Sequence, residues 1–356
     1  MLKATSETER KMRDYTRQVS TINSVCSLVA FLPTIFAIYA GIPYLYFFIL
    51  VPSQILVIAG ISYYKYHIER SAREIEVSPS KYVLDNTMSY AIFSISLPIL
   101  LFMFILFYSL TSLQRVITIN LLFVMSLLFV VSNLPASRMK RISKPLEDAY
   151  LVGKAEEISN KLGTGKLGIY VLNLGRFRIA NAGQVGAVKY SVFITDYLLD
   201  NLSPEENVAV IAHEFAHARQ RHVLKTAVIA WAITAVAGNL MVFPVDVGTY
   251  PVLSLVLPAI GFLFLMLAML LIIPGIQRRF ELEADLIAAS VVNGMDLVNA
   301  LQKITRLNFA PSEISRHWSM DHPPTRERVK KIIAYTQGNA TSPNVQGTKA
   351  THNIPK

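Results

Sequence analysis

Apolar positions along the chain fall in long uninterrupted blocks, not in the short alternations of a soluble fold. Six segments, about residues 20–41, 43–64, 88–110, 116–136, 226–245 and 252–274, contain no Lys, Arg, Asp or Glu. Each matches the roughly 20 apolar residues needed to cross a bilayer. Pro33, Pro52, Pro98 and Pro258 fall inside them, which is tolerable in lipid where neighbouring helices re-satisfy the freed carbonyls. The pattern therefore predicts a mainly α integral membrane protein with about six transmembrane helices.

Between the blocks the pattern changes. Residues 145–161 have the periodicity of an amphipathic helix, and Leu167–Leu172 and Val188–Thr195 read as strands. Ser203-Pro204-Glu205-Glu206 is a helix start: Ser caps, Pro occupies the first turn and Glu206 reaches back. From there the pattern predicts one helix running unbroken through Val223 into the fifth span. These readings give an α+β cytoplasmic domain in two halves, 137–225 and 275–335, split by spans five and six. The remaining assignments are a cytoplasmic segment over 1–19, spans one and two within 20–64, a cytoplasmic loop over 65–87, spans three and four within 88–136, and a disordered polar tail over 336–356.

Charge orients this plan. Lys and Arg gather in 1–19, in 65–87, after the fourth span (Arg138, Lys140, Arg141, Lys144) and after the sixth (Arg278, Arg279), whereas the other three connections carry only Arg115. By the positive-inside rule both termini and all large polar parts face the cytoplasm of a multi-pass cell-membrane protein. The net charge of +10 is thus topological and does not indicate nucleic acid. At 53% hydrophobic and 16% charged, with mean hydropathy +0.41, the chain is not an ordinary soluble enzyme. A single cysteine, Cys26, excludes an intrachain disulfide and a cysteine-built metal site.

The chemistry is concentrated on the helix that Ser203 starts. His213-Glu214-Phe215-Ala216-His217 places two imidazoles one turn apart on one face, able to hold one metal ion, with Glu214 placed to reach a bound water. A catalytic zinc usually takes a third protein ligand. Glu281 and Asp285 in RRFELEAD share a helix face: one carboxylate can ligate while the other orients a ligand histidine. The fifth span begins about 8 residues after His217 and the sixth ends about 7 residues before Glu281. Both half-sites therefore stand roughly 10–12 Å above the same membrane face. His222, five residues past His217, lies off the metal-facing side and reads as a hydrogen-bonding residue, not a ligand.

These motifs make the chain resemble the HtpX-like and CAAX-prenyl-protease-like membrane zinc metallopeptidases over about residues 145–335. The resemblance is carried by HEFAH after SPEENVAVIA, by RRFELEAD, by His322-Pro323-Pro324-Thr325-Arg326-Glu327-Arg328 and by Ala180-Asn181-Ala182-Gly183. It implies one zinc per chain held by His213, His217 and Glu281, and Asp285 as partner of a ligand histidine. It further implies Glu214 as general base, His322 as stabiliser of the oxyanion, Arg328 lining the site, and Asn181 beside a substrate that adds as an edge strand near Val188–Thr195. Four spans before the catalytic part, where HtpX-type proteins usually have two, depart from that pattern. The expected activity is a zinc endopeptidase cleaving membrane or misfolded proteins at the cytoplasmic face. A specific CAAX-type processing enzyme and a non-catalytic zinc-binding sensor are the alternatives. A transporter is disfavoured, since no span carries an ionisable residue of the kind that lines an ion path.

Overall fold

The computed structural model describes residues 2–39, 49–88, 90–91, 112–131, 134–186, 189–242, 249–310 and 323–340. The chain divides into two compact units. The first comprises Met1–Arg115 with the short segments Arg176–Arg178 and Asn308–Pro311; the second holds the rest.

In the first unit α1 (Leu2–Tyr39) packs on α2 (Val51–Arg73). The separate N-terminal segment and the first span expected from the charge pattern form one helix. The sequence up to Leu32 has no proline or glycine to stop it. The expected 65–87 loop likewise opens as helix, because α2 runs on to Arg73 and ends at Glu74 in the left-handed region (φ 53°). That extension is held by buried polar contacts. Lys65 Nζ donates to Asn23 Oδ1 at 2.9 Å and Asn86 Oδ1 at 3.3 Å, and the Tyr15 hydroxyl donates to Glu69 at 2.6 Å.

α3 (Ser112–Val131) begins in the first unit and belongs to the second from Val116 on. The further elements of the second unit are α4 (Leu134–Arg141), β1 (Lys144–Pro145), α5 (Ala149–Leu162), β2 (Gly168–Leu172), β3 (Ala182–Val185), β4 (Ser191–Thr195), α6 (Asp196–Asn201), α7 (Pro204–Gln220), α8 (His222–Val242), α9 (Pro251–Leu267), α10 (Ile273–Val291), α11 (Gly294–Leu307) and α12 (Thr325–Ala340). The helix expected from residue 145 starts later, at the Asp148 cap, whose carboxylate accepts from Leu151 N at 2.9 Å; Pro145 is in β1. The sheet order is β1-β2-β4-β3, with β2 and β4 parallel and β1 and β3 antiparallel to their neighbours. All five residues of β4 are buried. α12 extends to Ala340, past the expected start of the tail at residue 336.

The core forms around α7, which packs on α5, α10 and α11. Ala209, Ile211, Ala212, Phe215 and Ala216 are at most 1% exposed, so only small or well-fitted side chains separate α7 from its neighbours. Its start is fixed by the full capping box: Ser203 Oγ accepts from Glu206 N, and Ser203 N donates to Glu206 Oε2 at 2.8 Å. Lys303 of α11 also donates to that Glu206 oxygen at 2.7 Å.

Among the described residues two helical stretches are long and apolar enough to cross a membrane, His222–Met241 and Pro251–Val291. The other four expected spans run wholly or partly over residues outside the description. α8 and α9 pack together so closely that a Cβ on Gly261 would lie 2.8 Å from the Ala237 carbonyl oxygen. Their outer faces are bare: Val236, Phe262 and Leu263 are 54–57% exposed. Exposed apolar surface of this kind marks a contact with a membrane or with another protein. α9 passes into α10 through a π turn, Ala268–Ile272, ahead of Pro274. Proline lacks an N–H and its ring clashes with the carbonyl four residues back, so the wider turn lets the helix pass without breaking.

Candidate metal centre

The two half-sites meet inside the second unit, where α7 supplies His213, Glu214 and His217 and α10 supplies Glu281 and Asp285. One ligand atom from each of His213, His217 and Glu281 can be chosen such that all three lie within 4.8 Å of one another. His217 Nε2 lies 3.4 Å from Glu281 Oε1 and 3.1 Å from His213 Nε2. His213 Nε2 lies 3.6 Å from Glu281 Oε2. Two imidazole nitrogens and a carboxylate oxygen converging on one buried point form a donor set suited to zinc, so the residues present fit the metal that the sequence motif implies. Glu214, between the histidines, is itself buried.

The i, i+4 spacing of Glu281 and Asp285 gives them different partners. Glu281 faces the imidazole nitrogens, whereas Asp285 Oδ1 lies 3.1 Å from His213 Nδ1, the ring atom directed away from the cluster. Arg328, from α12, clamps Asp285 with two bonds of 2.7 Å through Nε and Nη2 and reaches Glu281 Oε2 at 3.2 Å through Nη1. This fork-on-carboxylate geometry is the strong form of a charge-assisted bond. Burial works against the charged form of Asp285, but the Arg328 guanidinium holds its carboxyl below the ordinary range. Burial also opposes a charged His213, yet the Asp285 and Glu281 carboxylates outweigh it and raise the imidazole above its usual range.

Comparison with known proteins identifies the architecture. The model of "Peptidase family M48" matches residues 145–336, more than half of the chain. The chain belongs to peptidase family M48. The M48 match spans every candidate site residue and excludes the first 144 residues. Among M48 relatives, Protease HtpX of Legionella pneumophila is 29% identical over 225 residues, covering 54% of this chain and 79% of that protein. A Protease HtpX homolog of Thermoanaerobacter pseudethanolicus is 26% identical over 228 residues, covering 54% and 74%. The crystal structure of S. mikatae Ste24p superposes with a TM-score of 0.71 at 21% identity, covering 92% of this chain and 88% of that one, so the fold is Ste24p-like. The chain is an M48 metalloprotease, and its bare apolar hairpin suits a membrane-embedded one.

Two sequence expectations change. The substrate strand was expected to add beside Val188–Thr195, but β4 lies between β2 and β3 with both edges paired. The edge strand next to it is β3, Ala182–Val185, which the sequence did not mark as a strand. Asn181 immediately precedes β3, exposed, its N–H donating to Thr195 Oγ1 at 3.0 Å and its carbonyl accepting from Thr195 N at 2.9 Å. In addition, the HEFAH helix does not run unbroken into the hairpin. Arg221 caps α7 in the left-handed region at φ 53°, and α8 starts afresh at His222. His322 lies outside the described residues.

Proposed function

We propose that the protein is a zinc-dependent endopeptidase, one zinc per chain, with His213, His217 and Glu281 as its protein ligands. The observation that carries this reading is the convergence of the two α7 imidazoles with the α10 carboxylate across an apolar hairpin. Bound zinc would supply Lewis acidity, polarising a peptide carbonyl and lowering the pKa of a water. Glu214 takes that water's proton and delivers it to the leaving amine. Asp285, pinned by Arg328, keeps the His213 ring oriented, and Arg328 offsets negative charge on both carboxylates. The family resemblance gives His322 the role of stabilising charge on the carbonyl oxygen. An extended substrate adds to the free edge of β3 beside Asn181, where main-chain hydrogen bonding needs no particular side chains.

That mode of binding favours broad selection by backbone conformation, hence cleavage of unfolded or misfolded membrane proteins. Six spans follow from the apolar blocks, and both termini and the site on the cytoplasmic side from the Lys and Arg placement. The test is cleavage of casein by zinc-loaded protein in detergent, wild type against Glu214→Gln. Cutting by wild type, with a loss of about 10²–10⁴-fold in the variant at unchanged zinc content, is expected. Absence of cutting by wild type with one zinc bound would overturn the broad-protease reading. Activity on prenylated but not plain peptides would then select a CAAX-type processing enzyme, and inactivity on both a zinc-binding sensor.

A further inference from the structure

His222 is a buried imidazole that the mechanism above does not use. In a continuous helix, residues 217 and 222 would point about 140° apart. The left-handed turn at Arg221 cancels that divergence. The rings lie with centroids 4.9 Å apart and the two Nδ1 atoms 2.9 Å apart. His222 is 3% exposed. Phe280, the residue before Glu281, stacks on it at 4.2 Å and 8°. Its other nitrogen, Nε2, lies 3.4 Å from Glu283 Oε2. A non-glycine residue in the left-handed region is uncommon, and here that backbone conformation delivers a second imidazole to the back of the first.

The proton inventory has one consistent solution. His217 faces Glu281 and His213 with Nε2, so the Nε2 lone pair points into the cluster and its proton sits on Nδ1. His217 Nδ1–H then donates to His222 Nδ1. The remaining His222 proton is on Nε2, which donates to the Glu283 carboxylate. We infer that His222 and Glu283 form a relay, His217 to His222 to Glu283, that fixes the tautomer and ring plane of His217, making His222 a positioning residue for the metal centre. This rests on the assignment of His217 as a ligand. The relay is the counterpart of the Asp285–Arg328 support behind His213. It explains why Glu283, on another face of α10 from Glu281 and Asp285, belongs to the same site.

The test uses full-length protein in detergent and reads zinc affinity by chelator competition and the visible spectrum of the cobalt(II)-loaded protein. His222→Leu removes both links and is expected to weaken zinc binding about 10–100-fold and alter the cobalt bands. His222→Asn, whose Oδ1 can accept from His217 Nδ1–H, restores most of the affinity. Glu283→Ala weakens binding less than His222→Leu and adds nothing to it, since the two act through one chain of bonds. Zinc binding by His222→Leu within about twofold of wild type with unchanged cobalt bands, or additive losses in the double variant, overturns the relay. If His222→Leu does not fold, Glu283→Ala is compared in the wild-type protein and in the His222→Asn variant. A loss confined to the wild-type background supports the relay, and equal losses in both overturn it. Failure of wild type to bind zinc would instead overturn the ligand assignment.

Discussion

The catalytic end of α10 and the hairpin α8–α9 are parts of the same stretch of chain with opposite solvation. In the catalytic part Asp285 is 1% exposed and Arg328 8%, and each charge is matched within hydrogen-bonding distance by another. In the hairpin, apolar side chains such as Phe262 and Leu263 stand more than half exposed. A charge removed from water needs a specific partner, because leaving one unpaired costs several kcal/mol. An apolar residue removed from water needs only an apolar medium. Substitutions in the first region should therefore be intolerant and specific, and those in the second tolerant until a charge is introduced.

The sharpest break comes from Glu281→Ala. It removes one of three candidate ligands and is expected to abolish stoichiometric zinc, measured by elemental analysis after gel filtration, and to reduce casein cleavage to background. Next in size, Arg328→Met should strand the Asp285 carboxylate and lower stability by about 3–5 kcal/mol, read as a fall in melting temperature in detergent; Arg328→Lys, which cannot form the fork, should recover only part of it. Leu263→Lys places a charge on the bare face of α9. It should cost about 2.5–3.5 kcal/mol of insertion, visible as a smaller membrane fraction on expression, while the folded remainder binds zinc normally. Loss of zinc binding there would erase the distinction between the two regions. The smallest effect is expected from Ser203→Ala, which removes the α7 cap at about 1 kcal/mol and leaves metal stoichiometry intact.

Legibility in the sequence divides along similar lines. His213, Glu214 and His217 declare themselves because helix periodicity alone puts them on one face, and Glu281 with Asp285 do so by the same spacing. Which carboxylate faces the histidines was not readable from spacing; it depends on how α10 packs against α7. β3 was missed because Ala182-Gly183-Gln184-Val185 carries little strand propensity and forms by pairing with β4. The approach of His222 to His217 was also invisible. Helix C-caps in the left-handed region are usually marked by Gly or Asn, and at this one the residue is Arg221. The bond from Arg328 to Asp285 joins residues 43 apart in sequence, and no local pattern encodes it.

The π turn at Ala268–Ile272 sets an angular phase between the apolar stretch of this long helix and its carboxylates. No further break separates that turn from Glu281, so each residue added or deleted there would swing Glu281 by about 100° and move it by about 1.5 Å. A single deletion within 268–277 would aim Glu281 away from His213 and His217 while leaving every catalytic motif intact. The number of residues between hairpin and carboxylate is thus constrained as tightly as the motif letters, and a one-residue change in this apolar linker is as disabling as the loss of a histidine.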